Sequence, residues 1–470
     1  MKCIVLLFSA AFLASLASAG AAGKPNILFI AVDDLRPELA VYGASGMVTP
    51  HIDRLAGQGV RFDRAYCMVP TCGASRASLF SGIRPARNRF TNHESRASKD
   101  APGLTTLNTH FKNHGYTTIS LGKIFHHRDD NADGWSEVPW YPEAAAYVTK
   151  ETRDLAAKGA NEKRRGPSWE NGGDVPDETY ADVQLAGHAI GKLRTLAAAD
   201  KPFFLAVGFL KPHLPFVAPG AYFQKYPVES VRMPDNYYPP KNAPKGAVHS
   251  SGELRSYSDI PKTGILPEDK ARELIRGYHA ATSYTDAQIG RLLDAFNALG
   301  LAENTVIVLW GDHGWNLGEH TMWCKHSCFE TSLRTPLVFA APKAMGLKSG
   351  SSAVAMTEYI DIYPTLCDLA GLPKPTHLQG LSLMPVLKDP SASIKDAAIS
   401  RYENGDTIRT ANFRYTVYSD RKGAQTGHML YDHTKDPGEN LNVADDAEYA
   451  AIVADLAKRL ADGMGKPTKD

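Results

Sequence analysis

The stretch NILFIAVDD, residues 26–34, points most directly to the architecture, because an apolar run stops abruptly at two aspartates. Such a run, rich in Ile, Leu, Phe and Val, is typical of a strand buried on both faces of a parallel sheet. Three more apolar runs stop in the same way, before Gly-Lys, Leu-Lys-Pro-His and Gly-Asp-His: YTTISL (116–121), FFLAVGF (203–209) and TVIVLW (305–310). Open α/β sheets hold ligands beyond the carboxyl ends of their strands, so we expect these polar side chains at one edge.

The segments between these strands have helical patterns. Residues 181–199 and 268–299 carry apolar side chains at helical spacing, and each segment precedes a strand. The alternation predicts an α/β fold with a doubly wound, mostly parallel sheet and helices on both faces. Residues 129–178 are polar and irregular, which predicts insertions that line a substrate cleft, whereas residues 214–266 are rich in Pro, Tyr and Gly and predict long surface loops.

The pattern changes near residue 390. Short strands are predicted at residues 398–402 and 415–419, and a terminal helix at residues 446–464. We therefore predict a main domain over residues 24–390 and a smaller α+β subdomain over residues 391–470.

The amino terminus predicts a signal peptide over residues 1–19. Lys2 is followed by an apolar stretch at residues 4–16 and by the small residues Ala17-Ser18-Ala19, so cleavage would leave Gly20 first. The apolar stretch is shorter than the roughly 20 residues that a membrane span needs. We expect an exported protein with no stable membrane span. It would be periplasmic or extracellular in a bacterium, and lysosomal or secreted in a eukaryote.

The charges nearly cancel: the chain has 52 Lys and Arg against 51 Asp and Glu, a formal net charge of +1. Nucleic-acid-binding proteins carry a basic excess, so no nucleic-acid partner is expected. Any anionic substrate must therefore be bound by a few cations placed around it.

The cysteine count suggests that one thiol has a separate role. Cys3 lies in the predicted signal peptide, which leaves an odd number in an exported chain. Four of the five could form disulfides with a connectivity that the sequence leaves open: Cys67, Cys72, Cys324, Cys328 and Cys367.

The segment CGASR, residues 72–76, directly precedes a helical run at residues 77–80. At a helix amino terminus, Cys72 would lie where the helix dipole and the free N–H groups favour negative charge. Arg76 would project beside it one turn later. Taken alone, this spacing favours a buried structural cysteine near a surface arginine.

The wider sequence resembles the type I sulfatases, whose maturation signature is Cys-x-Pro/Ala-x-Arg; Cys72, Ala74 and Arg76 match it. Further stretches resemble the iduronate-2-sulfatase-like branch in order, from about residue 26 to about residue 442: VDDLRPELAVYG (32–43), TPHIDRLAGQGVRFDRAYC (49–67), GYTTISLGKIFHH (115–127), FFLAVGFLKPHLPF (203–216), GDHGWNLGEH (311–320) and LYDHTKDPGENLN (430–442). The resemblance implies an alkaline-phosphatase-like fold. It also implies oxidation of Cys72 to Cα-formylglycine by a maturation partner, either a formylglycine-generating enzyme or an anaerobic sulfatase-maturing enzyme.

The resemblance also implies one bound Ca²⁺. Its ligands would be Asp33, Asp34, Asp312, His313 and the oxidised side chain of residue 72. Carboxylate oxygens suit Ca²⁺ or Mg²⁺ better than zinc. Taken alone, Asp33-Asp34 or Asp312-His313 would favour a turn or a helix cap after a strand.

The implied reaction is hydrolysis of a sulfate ester. A hydrated aldehyde carries two hydroxyls: one attacks sulfur in line, and the second allows sulfate to leave by C–O cleavage. By position, Arg76 would orient the formylglycine, and Lys123 and Lys325 would hold sulfate oxygens. His126 would act as the base on the second hydroxyl, and His213 would protonate the departing alcohol, a role that suits a pKa near neutrality.

The substrate implied is a sulfated polysaccharide or oligosaccharide, with a uronic acid as one option. We expect His93 and Trp315 to line the sugar pocket, together with His326, which replaces the Tyr of the branch's Trp-x-Lys-Tyr motif. Two alternatives remain open: a phosphatase or phosphodiesterase of the same superfamily, with Thr71 or Ser75 near the nucleophile position, and a non-catalytic carbohydrate-binding homologue.

Overall fold

The structure is a computed structural model that describes residues 23–464, so the predicted signal peptide, residues 1–19, lies outside the described residues. Its strands are β1 Asn26–Val32, β2 Val60–Phe62, β3 Ala65–Tyr66, β4 Thr117–Gly122, β5 Trp169–Asn171, β6 Phe203–Phe209, β7 Phe216–Ala218, β8 Thr305–Gly311, β9 Asn316–Leu317, β10 Trp323–Cys324, β11 Arg334–Thr335, β12 Leu337–Ala340, β13 Ser351–Ala353, β14 Thr357–Glu358, β15 Ala397–Tyr402, β16 Gly405–Thr410, β17 Phe413–Ser419 and β18 Gln425–Asp432. Its α-helices are α1 Pro50–Gln58, α2 Cys72–Ser81, α3 Ala97–Asp100, α4 Leu107–Asn113, α5 Lys150–Asn161, α6 Ala181–Ala197, α7 Gly220–Phe223, α8 Gly252–Arg255, α9 Glu268–Ala298, α10 Glu330–Leu333, α11 Ile362–Leu369, α12 Met384–Lys388 and α13 Ala450–Met464. The four predicted buried strands are confirmed as β1, β4, β6 and β8.

A seven-stranded sheet organises the main part of the chain, in the order β13-β2-β12-β8-β1-β6-β4. The strands from β8 to β4 run parallel, and β12 is antiparallel to both of its neighbours. The register aligns the carboxyl ends: Val32 pairs with Phe209 on one side and with Gly311 on the other, and Gly122 pairs with Gly208. The residues that follow these strands therefore emerge at one edge.

Both faces of the sheet are buried, as the apolar runs predict. Along β1, Phe29 packs into one hydrophobic core and Leu28 into the other, because successive side chains point to opposite faces. Residues from α2, α4 and α11 cover the first face, and residues from α1, α6 and α9 cover the second. Each fully buried Leu, Ile or Phe stabilises the fold by about 1.5–3 kcal/mol. The doubly wound fold is confirmed.

The last part of the chain forms a four-stranded antiparallel sheet in the order β15-β16-β17-β18. Helix α13 covers one face of this sheet through Leu456 and Leu460, which pack with Ile408 and Tyr415. The α+β character predicted for this region is confirmed, and the division at residue 390 stays a prediction.

The prediction of long loops over residues 214–266 holds for most of the backbone, but the segment is not confined to the surface. This segment contains β7, α7 and α8, and several of its apolar side chains, including Phe216, Leu254 and Tyr257, are buried with Leu274 and Tyr278 of α9. Its Pro, Tyr and Gly content favours irregular backbone, but the aromatic side chains still have to be buried. Residues 129–178 likewise include α5 and β5.

The described cysteines are all buried free thiols: Cys67, Cys72, Cys324, Cys328 and Cys367. The disulfides that the sequence left open are therefore not formed in this structure.

Candidate active site

The predicted strand-end residues meet at one edge of the sheet. Asp33 follows β1, Asp312 follows β8 and Lys123 follows β4. The N–H of Asp33 donates to the carbonyl of Phe209 on β6, and the N–H of Asp34 donates to Asp312 Oδ1 at 3.0 Å. Parallel pairing with aligned carboxyl ends thus brings together side chains that are far apart in the sequence.

Cys72 is the first residue of helix α2, as predicted, and Thr71 precedes the helix as its N-cap. The Cys72 Sγ lies 3.3 Å from His313 Nε2 and 4.0 Å from Asp34 Oδ1. Burial raises the pKa of the Cys72 thiol well above its usual range. An unmodified Cys72 would therefore be protonated at neutral pH and a weak nucleophile.

Arg76 lies one turn into α2, and its guanidinium connects the other elements of the site. Its Nε donates to Asp312 Oδ2 and its Nη2 to Asp33 Oδ1, both at 3.0 Å. Its Nη1 donates to the carbonyls of Lys123 and Ile124. The side chain is completely buried, so these bonds orient two carboxylates and fix the loop after β4.

The three aspartates at this edge are completely buried. Although burial opposes ionisation, the nearby Lys123, His213 and Arg76 hold the pKa of Asp33 well below its usual range. Burial raises the pKa of Asp34 well above its usual range despite Lys325, and neighbouring carboxylates add to that rise. The protein thus compensates the charge of Asp34 less than that of Asp33.

His313 supplies a nitrogen to the same cluster. Its Nδ1 lies 2.9 Å from the carbonyl of Gly314, which can only accept, so Nδ1 carries the proton. Its unprotonated Nε2 lies 3.3 Å from Asp34 Oδ1 and 3.6 Å from Asp312 Oδ2. A ring held in this tautomer by a backbone carbonyl is typical of metal-binding histidines.

The donor set fits a hard divalent cation. Two groups of ligand atoms, each within 4.8 Å of one another, share Cys72: Asp33, Asp34, Cys72 and His213 in one, and Cys72, Asp312 and His313 in the other. Three of these six residues donate carboxylate oxygens, the ligands that Ca²⁺ and Mg²⁺ prefer. Because both groups contain Cys72, these described residues form a single centre.

Two lysines contact carboxylates of this centre. Lys123 Nζ donates to Asp33. Lys325 Nζ lies 3.2 Å from Asp34 Oδ1 and 4.8 Å from the centre of the Trp315 ring. Both amines are therefore held next to the carboxylates, where they could donate to an anionic group bound at this centre.

The two histidines that the resemblance marks lie beside the lysines. The buried Nδ1 of His126 has no hydrogen-bond partner among the described residues. His213 Nδ1 contacts the carbonyl of Leu214, which leaves Nε2 3.8 Å from Asp34 Oδ2. Burial first and Lys123 second lower the pKa of each ring to about 3. The expectation of a near-neutral pKa for His213 is thus not met in the substrate-free site.

The three expected sugar-binding residues differ in exposure. The His93 side chain is 63% exposed, and its ring centre lies 6.0 Å from that of His126. His326 is half-buried and stacks on Tyr402. Trp315 is only 1% exposed, so it cannot form a wall of the sugar pocket. It is buried because it packs beneath Lys325 and against Tyr278.

Glu253 is a site residue that sequence reasoning missed. It lies in α8, and its Oε1 accepts from Lys325 Nζ at 2.9 Å and lies 3.7 Å from His213 Nε2. Its residue type and its neighbours in the sequence carry no motif. Only the packing of residues 214–266 against α9 brings this carboxylate to the centre.

Ser75 does not serve as an alternative nucleophile. It is completely buried, and its hydroxyl donates to the carbonyl of Asp312 at 2.5 Å. That bond joins α2 to the end of β8. The phosphatase alternative therefore loses one of its two hydroxyl candidates.

An alkaline-phosphatase-like sheet with this cluster at its carboxyl edge defines a class of hydrolases acting on esters of oxyanions. Within that class, the Sulfatase family profile matches residues 25–372, and the profile "N-sulphoglucosamine sulphohydrolase, C-terminal" matches residues 318–466. The chain belongs to the sulfatase family and is a sulfuric ester hydrolase.

Individual relatives agree with this assignment. Iduronate 2-sulfatase of Mus musculus is 30% identical over 92% of this chain and 93% of the relative. The structure of BT1596, described as a 2-O GAG sulfatase, superposes with a TM-score of 0.70 at 25% identity, over 94% of this chain and 92% of that one. The structure of BT4656 with its substrate D-glucosamine-2-N,6-O-disulfate has a TM-score of 0.75 at 24% identity, over 94% and 98%, and shows the shared fold.

No helix within residues 23–464 has the length and the apolar character of a membrane span.

Proposed function

We propose that this sulfatase is a formylglycine enzyme that uses a bound Ca²⁺ to hydrolyse sulfate esters of an anionic saccharide. One observation carries the proposal: Cys72 Sγ, at the start of α2, lies 3.3 Å from His313 Nε2 and 4.0 Å from Asp34 Oδ1. Residue 72 therefore lies within reach of both a cation site and the cationic side chains that would hold sulfate.

Asp33, Asp34, Asp312 and His313 would hold the cation, together with the oxidised side chain of residue 72. When bound, the cation supplies positive charge that stabilises anionic oxygens. The raised pKa of Asp34 supports this role, because burial beside other carboxylates leaves its charge poorly compensated by the protein alone. The hydrated aldehyde of residue 72 supplies the oxygen nucleophile.

The cationic side chains hold the sulfuryl group. Lys123 and Lys325 flank the centre and would each donate to a sulfate oxygen, which orients sulfur toward residue 72. Arg76 fixes Asp33 and Asp312 through separate guanidinium nitrogens, so the positions of the carboxylates do not depend on substrate. Such preorganised charge lowers the barrier without reorganisation during the reaction.

His126 and His213 move the protons. His213 Nδ1 is held by the carbonyl of Leu214, which leaves Nε2 free to serve the departing sugar oxygen. A bound sulfate ester brings negative charge near this ring and raises its pKa from the substrate-free value of about 3. His126, beside Lys123, would be the base on the second hydroxyl of residue 72.

The names of the relatives support the substrate class. Iduronate 2-sulfatase and a 2-O GAG sulfatase share the family at 30% and 25% identity, so we infer a sulfated glycosaminoglycan-type saccharide. We also propose export through residues 1–19 and maturation of Cys72 by a formylglycine-generating or anaerobic sulfatase-maturing enzyme.

Peptide mass tests the modification. Trypsin releases residues 65–76, which contain both Cys67 and Cys72. Conversion of Cys72 lowers the mass of this peptide by about 18 Da and leaves a single thiol for alkylation. Cys67 is the internal control for complete alkylation. Two alkylated thiols in a preparation that hydrolyses sulfate esters would disprove the formylglycine mechanism.

A further inference from the structure

A cavity beside the proposed sulfate site contains an arginine that the mechanism does not use. Its lining includes Lys123 and His126 from the loop after β4, and also Arg128, Tyr141 and Asp182. The cavity therefore shares a wall with the catalytic centre, and a saccharide held at Lys123 would extend over it.

Arg128 is an exposed residue of the cavity lining that contacts an aromatic ring and has no carboxylate partner among the described residues. Its guanidinium carbon lies 4.2 Å from the centre of the Tyr141 ring, a distance typical of a cation–π contact. Among residues 23–464, no carboxylate oxygen lies within 4.0 Å of its nitrogens. The neighbouring acid Asp129 pairs with Arg96 instead, at 2.7 Å.

The one acid that lines the cavity is already satisfied. Asp182 is 1% exposed, and its two oxygens accept from the N–H groups of Leu210 and Lys211, both at 2.9 Å. The buried Nδ1 of His126 has no partner among the described residues. The polar groups still available in this cavity thus favour an anion.

We propose that this cavity binds a second oxyanion of the substrate, a sulfate or a carboxylate, through the guanidinium of Arg128. The planar guanidinium can donate two parallel N–H bonds to either group, and the cation–π contact with Tyr141 favours its position at the cavity. The inference rests on the proposed function and deepens it. The enzyme would select saccharides that carry another anion near the sulfate ester that it cleaves.

Binding to a full-length Cys72→Ser background tests this without turnover. We would measure Kd by calorimetry for two pairs of probes. Comparing the Kd of D-glucosamine-2-N,6-O-disulfate with that of N-acetylglucosamine 6-sulfate tests whether the cavity binds a second sulfate. Comparing the Kd of the methyl glycoside of 2-O-sulfo-iduronate with that of its methyl ester tests whether the cavity binds a carboxylate. In at least one pair, the doubly charged probe should bind tenfold or more tightly, and Arg128→Gln should remove that preference.

Matched variants separate charge from geometry. Arg128→Lys keeps the positive charge but loses the planar guanidinium with its paired N–H donors. The logarithm of the Kd ratio within a probe pair should therefore be less than half of the value for the protein with Arg128. Arg232→Gln, at an exposed arginine, should leave the preference unchanged. Equal affinities within both pairs, or a preference that persists in Arg128→Gln, would overturn the inference. Failure of the proposed function would appear separately, as an unmodified Cys72 peptide in the active wild-type protein.

Discussion

Glu253 Oε1 lies 2.9 Å from Lys325 Nζ, although the two residues are 72 positions apart in the sequence. Lys325 also contacts Asp34 Oδ1 at 3.2 Å, so its amine is held between two carboxylates. The position from which Lys325 would donate to a sulfate oxygen therefore depends on Glu253, which lies outside all the sequence motifs.

Replacing Glu253 with Gln tests this positioning role. The amide keeps the shape but removes the charge that holds Lys325, and small misplacements of positioning groups cost up to about 100-fold in rate. We expect kcat/KM for a sulfated saccharide to fall by about 10- to 100-fold. Most of the loss should be in kcat at an unchanged thermal midpoint, whereas a purely structural role would lower the thermal midpoint and the amount of active enzyme at constant KM. Glu229→Gln, at an exposed glutamate, is the control.

Arg76→Met should strongly destabilise the fold. It removes the guanidinium that pairs with both buried carboxylates, so Asp312 loses its arginine and Asp33 keeps Lys123, and breaking a buried ion pair in this way costs about 3–5 kcal/mol. Arg54→Met removes an exposed pair with Asp294 and should cost about 1 kcal/mol or less. Urea unfolding gives both free energies. Equal losses in the two variants would contradict the central role of Arg76.

Removal of the cation should abolish activity and lower thermal stability. After treatment with a chelator, added Ca²⁺ should restore both, since a ligand at 100 times its Kd adds about 2.7 kcal/mol to the folded state. Asp34→Asn should remove the response of the thermal midpoint to Ca²⁺, and Asp200→Asn, at an exposed position, should keep it. If added Ca²⁺ does not change the thermal midpoint of the wild-type protein, the proposed Ca²⁺ site is ruled out.

Asp286 should make stability depend on pH away from the active site. Its oxygens accept from the N–H groups of His51 and Ile52 at the start of α1. Burial raises its pKa from 3.8 to about 7. Between these two pKa values only the folded state holds the proton. The contribution of Asp286 to the free energy of unfolding therefore falls as pH rises, in total by about 1.4 kcal/mol for each unit by which the two pKa values differ. Below pH 3.8 both states are protonated, and above 7 both are ionised.

The measurement compares wild-type protein with Asp286→Asn, which cannot titrate. The free energy of unfolding of the wild type, minus that of the variant, should decrease between pH 4 and pH 7 and stay constant above it. A difference that does not change with pH would show that Asp286 titrates normally.

Much of the site could be predicted from short stretches of sequence. Strands such as 26–32 and 203–209 are continuous runs of β-branched and other apolar side chains, which favour a sheet buried on both faces. The parallel register then brings Asp33 and Asp312 together. The helix start at Cys72 is equally local, because the cysteine directly precedes a helical run. The sequence resemblance supplied the roles of these residues, which the fold alone does not.

Other features depended on tertiary packing. The burial of Trp315 results from its contacts with Tyr278 and Lys325, and an indole ring has no sequence pattern that separates such a role from a sugar contact. Glu253 reaches the centre because the aromatic side chains around it are buried against α9, which turns an apparent surface loop into a wall of the site. Local propensity thus determined the sheet, the helix start and the order of the strand-end ligands. The tertiary structure decided which charges meet there, because Coulomb interactions and burial depend on distance in space, which residues separated in the sequence acquire only on folding.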